Sequence, residues 1–208
     1  MSRIEEKTAL RAKMGEVSEL AAKKTLLRLD KYARTYIERS PFLCIGTADE
    51  NGHADVSPRG DPPGFVRIVD DRTIIIPDRP GNNRVDTMQN IVANPQIGLL
   101  FLIPGIDDTL RVNGKAEIID DPAELAPCAV NGRPPRLGIK VKVEEVFFHC
   151  AKAFRRSRLW DPAARQDRGF LPGLAHMVME QARACEVDRR ESDKVEEEIQ
   201  EEYRTGLY

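Results

Sequence analysis

The sequence has few residues of the kinds that bind metal ions or form disulfides. Its 208 residues include four cysteines, which lie far apart with no Cys-x-x-Cys pair, and three histidines. Because none of them has the spacing of a zinc site, the sequence predicts no metal site. Widely separated cysteines are typical of reduced thiols in the cytosol, where disulfides are rare. The residues concerned are Cys44, Cys128, Cys150, Cys185, His53, His149 and His176.

Long hydrophobic segments and a strong net charge are also lacking. Apolar runs such as residues 97–104 have the length of strands, so no segment is predicted to span a membrane. The N-terminal residues include acids and no apolar stretch, unlike a signal peptide, and a cytoplasmic location is expected. The net charge of −2 predicts no broad basic surface for nucleic acid. Neither a Gly-x-Gly-x-x-Gly turn after a strand nor a spaced Ser-His-Asp set is present, so no Rossmann site and no hydrolysis are predicted.

The sequence does contain a series of short apolar segments separated by turns. A composition of 41% hydrophobic and 32% charged residues is that of a globular protein. Hairpin-like connections, with one helix inserted among the strands, predict a mainly β fold. We expect an antiparallel barrel of six or seven strands with helices packed outside it. Strands are predicted at residues 42–48, 53–57, 65–69, 73–77, 96–103, 109–119 and 139–150.

Helices are predicted on both sides of the strand region. A helix over residues 16–39 has a broad apolar face and ends before a Ser-Pro pair, because a residue preceding proline avoids the helical region. A short basic helix over 151–160 is interpreted either as the lining of a ligand site or as a dimer-packing helix with a buried tryptophan. A helix over 174–202 ends in a highly charged half. The expected division is a helical appendage over 1–40, a barrel domain over 41–160 and a helical segment over 161–208.

The strongest local pattern runs from residue 73 to residue 95. A β-branched strand leads into a turn of Asp, Pro, Gly and Asn, and a helix is predicted from Arg84 with Asn82 or Asn83 as its cap. Unpaired N–H groups and the helix dipole favour an anion at such an N-terminus, where Arg79 and Arg84 can each contact a phosphate. The alternative is a capped surface turn with two solvated arginines.

Three segments together resemble the pyridoxamine 5′-phosphate oxidase-like flavoproteins, in particular an uncharacterised FMN-dependent branch. They read FLCIGTADENGHADVSPRGD, TIIIPDRPGNNRVDTMQNIVANPQIGLLFLIPG and TLRVNGKAEI. The resemblance covers residues 40–160 and rests on the order and spacing of these segments. It implies a split β-barrel of the FMN-binding type and a homodimer with FMN at the subunit interface. The implied function is an FMN-dependent oxidoreductase acting on a small soluble substrate.

The resemblance implies roles for residues on the phosphate side of the flavin. Asn83 and Arg84 take the positions of the family's phosphate-binding Arg-Lys pair. Ser57 stands where the family has a further phosphate-binding arginine, unless Arg59 takes over that role. The alternative for Arg59 is a loop arginine paired with Asp61. The strand expected to lie along the flavin ring and ribityl chain contains Val56, Ser57, Pro58 and Arg59.

Other residues are expected beside the flavin ring. The resemblance implies that the backbone of Ile76 and Pro77 contacts the flavin, and that Thr109 and Arg111 approach its pyrimidine side from the partner subunit. A cation there would stabilise the negative charge of the reduced ring and raise its reduction potential. The alternative for Arg111 is an exposed strand arginine paired with Glu117 or another acid on the barrel.

The resemblance leaves several functions open. The C-terminal Arg-x-His that binds the pyridoxal substrate in the oxidase is missing, and Arg156-Ser157-Arg158 is the nearest match. A vitamin B6 substrate is therefore not expected. The alternatives to an FMN oxidoreductase are a flavin-binding carrier without turnover, or an F420- or haem-binding member of the same barrel fold.

Overall fold

Seven antiparallel strands form a single sheet in this computed structural model, which describes residues 3–208. The strand order is β2-β1-β5-β6-β7-β4-β3, which confirms the predicted mainly β fold with flanking helices. The sheet curves as a split barrel around one cluster of buried side chains, in which Phe101 is fully buried. The strands are β1 (Phe42–Ala48), β2 (Ala54–Gly60), β3 (Arg67–Ile68), β4 (Thr73–Pro77), β5 (Gln96–Leu102), β6 (Thr109–Ile119) and β7 (Gly138–His149).

Eight α-helices flank this sheet within residues 3–208. Among these residues, no helix has both the length and the apolar character that crossing a membrane requires. Short 3-10 turns lie at Ala126–Cys128, Pro162–Ala164 and Arg168–Phe170. The α-helices are α1 (Lys7–Met14), α2 (Glu19–Lys23), α3 (Lys31–Arg39), α4 (Asp86–Ala93), α5 (Pro122–Leu125), α6 (Lys152–Ser157), α7 (Leu174–Arg183) and α8 (Arg189–Thr205).

The long strand β6 shows how sequence alternation sets the two faces of the sheet. Leu110 and Val112 point into the core, whereas Arg111 between them points outward. The register of β6 against β7 shifts after Asn113, and the backbones approach closely at the next residue. A Cβ atom at Gly114 would lie 2.1 Å from a carbonyl oxygen of β7, so only glycine fits there.

The predicted extents of two strands differ from those in the structure. β2 continues through Pro58 to residue 60, although a loop or broken edge was predicted from Pro58 onward. Within residues 3–208, β2 is an edge strand that pairs only with β1, so the missing N–H of proline need not interrupt the ladder. β3 contains only Arg67 and Ile68, which pair with β4, although a strand was predicted over residues 65–69.

The prediction of one helix over 16–39 is wrong, because this segment contains two separate helices, α2 and α3, and α1 lies before it. Gly15 ends α1 with a φ of 71°, and Leu26 forms an isolated bridge with Val146 of β7. The Asp30 carboxylate then accepts hydrogen bonds from two backbone N–H groups and caps α3. Only α3 is packed, with Ile37 fully buried, whereas α1 and α2 contain no buried residue.

The prediction of one helix over 174–202 is also wrong in extent. Ala184 adopts a left-handed φ of 54° after α7, and α8 begins with Asp188 as its cap. The two helices form a hairpin in which His176 Nδ1 lies 2.9 Å from the Ser192 hydroxyl oxygen. The Glu196 carboxylate accepts a hydrogen bond from the Ala175 N–H at 3.0 Å, which ties α8 to the start of α7.

Candidate functional site

A cavity of about 550 Å³ opens between edge strand β2 and the turn that joins β4 to α4. One wall is formed by residues 55–60 and the other by residues 77–88, with Phe65 between them. β2 and β3 are the two edges of the sheet, so the cavity lies where the barrel is open. The turn predicted to bind phosphate and the strand predicted to follow the flavin therefore meet at one site.

Two of the three arginines that line this cavity, Arg59 and Arg84, lie on opposite walls. The Arg59 guanidinium of β2 donates a hydrogen bond to the Pro58 carbonyl oxygen at 2.8 Å and another to the Ser57 hydroxyl. Arg84 lies on the turn, and its Nε atom is 2.8 Å from a carboxylate oxygen of Asp86. Because the Arg84 side chain is 73% exposed, its ion pair with Asp86 is solvated and can be exchanged for another anion.

The turn before α4 has a backbone shape that the sequence pattern did not predict. α4 begins at Asp86 and not at Arg84, and neither Asn82 nor Asn83 caps it. Asn83 and Val85 adopt left-handed φ values of 56° and 54°, so the chain is still turning at Arg84. The Arg84 N–H donates to the Asn82 side-chain oxygen at 3.1 Å. A left-handed conformation is rare for a β-branched residue, and strain of this kind is concentrated at binding sites.

Arg79, predicted to contact a phosphate, is instead part of a buried ion pair. Its Nε atom lies 2.6 Å from Asp61 Oδ2, and the two side chains are 18% and 2% exposed. A second guanidinium nitrogen donates to the Cys128 carbonyl oxygen at 3.1 Å. The Tyr208 hydroxyl donates to the other carboxylate oxygen of Asp61, and its ring lies 5.9 Å from the Arg79 guanidinium. Arg79 therefore stabilises the cavity wall. The alternative in which Arg59 pairs with Asp61 is wrong, because Asp61 is paired with Arg79.

Three carboxylates, which the sequence analysis missed, also line the cavity. They belong to Asp55, Asp78 and Asp86 and equal the lining arginines in number, although Arg79 is already paired with Asp61. Burial raises the pKa of Asp78, although the nearby Arg59 and Arg79 act in the opposite direction. The Thr87 hydroxyl lies 3.4 Å from Asp55 Oδ2. Asp78 could have been found from sequence, because it directly follows the strand that ends at the turn.

The structure brings seven of the ten predicted site residues together. Ile76 is 1% exposed and belongs to the core, so it acts only by positioning the next residue, which lines the cavity. Thr109 and Arg111 lie on β6 outside the cavity, and their contact with a flavin on the partner subunit stays a prediction. The lining residues are Val56, Ser57, Pro58, Arg59, Pro77, Asn83 and Arg84.

Arg111 is an exposed strand arginine, as the alternative interpretation has it, but within residues 3–208 it has no carboxylate within 4.0 Å, so its predicted pairing with Glu117 or another acid is wrong. Its guanidinium carbon lies 5.4 Å from the centroid of the Phe147 ring on β7. Glu117 is 3.9 Å from the ammonium group of Lys140. Arg111 therefore contacts an aromatic ring on the outer face of the sheet.

The basic segment after β7 packs against the loop that follows β5. The Trp160 indole N–H donates to the Ile106 carbonyl oxygen at 2.9 Å, and its ring stacks on Phe154 at 5.6 Å. Arg155 forms an ion pair with Asp107 at 3.2 Å. These contacts hold the segment against its own chain with Trp160 half-buried, and its packing in a dimer stays a prediction.

A family model for pyridoxamine 5′-phosphate oxidase matches residues 29–150, which is more than half of the chain. The match begins at buried Leu29 and ends just after β7, so it includes every strand and both cavity walls. The chain belongs to the pyridoxamine 5′-phosphate oxidase family. This confirms the family indicated by the sequence segments and the split-barrel fold that it implies.

Solved structures that are similar to part of this chain include several bacterial proteins of low sequence identity. HupZ from Group A Streptococcus is 22% identical, with 58% of this chain and 93% of that chain covered and a TM-score of 0.48. General stress protein 26 from Bacillus anthracis str. Sterne is 16% identical, with 55% and 88% covered and a TM-score of 0.43. An FMN-binding protein from Syntrophomonas wolfei is 13% identical, with 56% and 88% covered and a TM-score of 0.43. The comparison with curated proteins found no match to this chain.

Proposed function

We propose that this protein is an FMN-dependent oxidoreductase that acts on a small soluble substrate. The observation that carries the proposal is the cavity between β2 and the β4–α4 turn, where Arg59 and Arg84 face one space from opposite walls. Arginine binds phosphate through charged, directional hydrogen bonds. The family match includes both walls of this cavity. We therefore assign the cavity to the phosphate of FMN.

The residues present fit a phosphate group with its attached chain. Arg59, Arg84 and the Ser57 hydroxyl supply donors, while Arg79 is already occupied by Asp61 and holds the wall in place. Val56 and Pro58 also belong to the cavity lining, but they alternate with Ser57 and Arg59 along β2, so their exposed side chains lie on the opposite face of this edge strand. Bound FMN would supply the two-electron redox chemistry, and the protein would supply binding and electrostatics.

The purified protein is expected to be yellow. Mass spectrometry of the ligand released on denaturation should identify FMN, and NAD(P)H oxidation by the loaded protein would distinguish an enzyme from a flavin carrier. A released F420 or haem, or a protein that neither contains nor binds a flavin, would contradict the proposal.

We further propose that the protein is a homodimer formed through the outer face of the sheet. Val56 is 70% exposed and Phe42 is 37% exposed, and both lie on the neighbouring strands β1 and β2. Leu100 and Leu102 continue this apolar surface onto β5. Apolar surface of this kind marks an interaction site. Light scattering at micromolar concentration is expected to give twice the chain mass of 23.4 kDa, and a flavin-loaded monomer would contradict the shared site.

A further inference from the structure

Four side chains form a second charged feature on the outer face of β6 and β7, away from the cavity. We name Lys24, Arg111, Phe147 and His149 the cationic platform. Strand pairing sets Arg111 opposite Phe147. The Lys24 ammonium lies 5.2 Å and the Arg111 guanidinium 5.4 Å from the centroid of the Phe147 ring. The rings of Phe147 and His149 are 4.9 Å apart.

The position of Lys24 is fixed although the helices before it are exposed. Its ammonium group donates a hydrogen bond to the Phe148 carbonyl oxygen at 2.7 Å. Leu26, two residues later, pairs with Val146 on the same strand through hydrogen bonds of 2.9 and 2.8 Å. The chain is therefore tied to β7 on both sides of the platform's aromatic ring, and Lys24 is held beside Arg111.

The platform carries two positive charges that lack an acidic partner. Within residues 3–208, neither Lys24 nor Arg111 has a carboxylate within 4.0 Å. Glu145, an acid on this part of β7, accepts a hydrogen bond from the Asn113 side chain at 2.9 Å. Burial, Arg111 and Lys24 together lower the pKa of His149, so the imidazole is neutral at pH 7. Two cations held at one half-buried ring favour an anion as the missing partner.

We infer that the cationic platform binds an organic anion with a flat apolar body. The carboxylate or phosphate of such a ligand would contact Lys24 and Arg111, and its ring would stack on Phe147 or His149. Within one subunit the platform is separate from the phosphate cavity. β1 and β5 lie between β2 and β6, and Pro77 at the cavity end of β4 pairs with Gly138, at the opposite end of β7 from Phe147 and His149. The binding of this anion does not depend on FMN. Only its assignment as the substrate of the enzyme rests on the proposed function.

The test uses benzoate as the probe and the proton NMR signals of His149 as the readout. Benzoate is expected to raise the pKa of His149 by about one, because an anion beside the ring stabilises the imidazolium. Benzyl alcohol, a neutral analogue of similar shape, should leave this pKa unchanged. His149→Gln assigns the signals, and His53 and His176 are internal references because they lie outside the platform.

Variants locate the binding site of benzoate. Arg111→Gln and Lys24→Gln are each expected to weaken benzoate binding about tenfold, since each removes a charge-assisted contact. Lys115→Gln is the matched control, because Lys115 is exposed on the same strand and already lies 3.9 Å from Glu144. Equal weakening by Lys115→Gln, no change of the His149 pKa with benzoate, or the same change with benzyl alcohol would each overturn the inference.

Repeating the titration with the FMN-loaded protein separates the two proposals. Benzoate binding that persists beside FMN supports a substrate site on the platform. Loss of benzoate binding after FMN is loaded would show that the flavin ring itself occupies the platform. This result would overturn the assignment of the platform as a substrate site. A protein that binds benzoate but never FMN would contradict the proposed function and leave the platform supported.

Discussion

Replacing Arg79 by methionine is expected to lower the free energy of unfolding by about 3–5 kcal/mol, because the substitution leaves a carboxylate buried without its cation. The carboxylate is that of Asp61, whose side chain is 2% exposed and 2.6 Å from the guanidinium. The Tyr208 hydroxyl would remain as a partner, but it carries no charge to offset that of Asp61. Urea unfolding followed by circular dichroism measures the loss.

The chain offers a matched control for this prediction. Arg84→Met removes the same charge from an ion pair whose side chains are 73% and 44% exposed, and little change in stability is expected. Combining Arg79→Met with Asp61→Asn removes both charges and should recover part of the lost stability. An Arg79→Met protein as stable as Arg84→Met would contradict the buried, structural role of this pair.

Replacing both Arg59 and Arg84 by alanine is expected to weaken FMN binding at least about a hundredfold, with about tenfold from each single change. The two guanidiniums line opposite walls of the cavity, so each contributes its own contacts to a phosphate. Riboflavin lacks the phosphate, and its affinity should be nearly the same in wild type and variants. Isothermal titration or flavin fluorescence gives both affinities.

Arg39→Ala is the control for a general effect of lost positive charge. Arg39 is exposed at the end of α3 and does not line the cavity, so FMN affinity should not change. If Arg59→Ala and Arg84→Ala reduce riboflavin affinity as much as FMN affinity, the arginines do not act through the phosphate. If neither variant changes the affinity for FMN, the phosphate of FMN does not bind in this cavity.

The parts of the fold that sequence predicted correctly are those governed by local pattern. β4 and β6 have the predicted bounds, since a β-branched run and an alternating run each end at turn residues. Such features depend on neighbours in sequence and not on the rest of the fold.

The features that sequence did not predict depend on contacts between distant segments. Arg79 and Asp61 are 18 residues apart and are joined only when the loop after β2 meets the turn after β4. Val85 adopts a left-handed conformation that is rare for β-branched residues. α4 therefore starts at Asp86, two residues after the predicted start at Arg84. Lys24 reaches β7 across 124 residues of sequence, so the cationic platform had no local signal.

The central claim, that the cavity between β2 and the β4–α4 turn holds the phosphate of FMN, is tested most directly by the ratio of FMN to riboflavin affinities in the wild-type protein. The two ligands share the ring and ribityl chain and differ only in the phosphate. The account predicts that FMN binds at least about tenfold more tightly, because charge-assisted hydrogen bonds from Arg59 and Arg84 act on the phosphate alone. Equal affinities for FMN and riboflavin would contradict it.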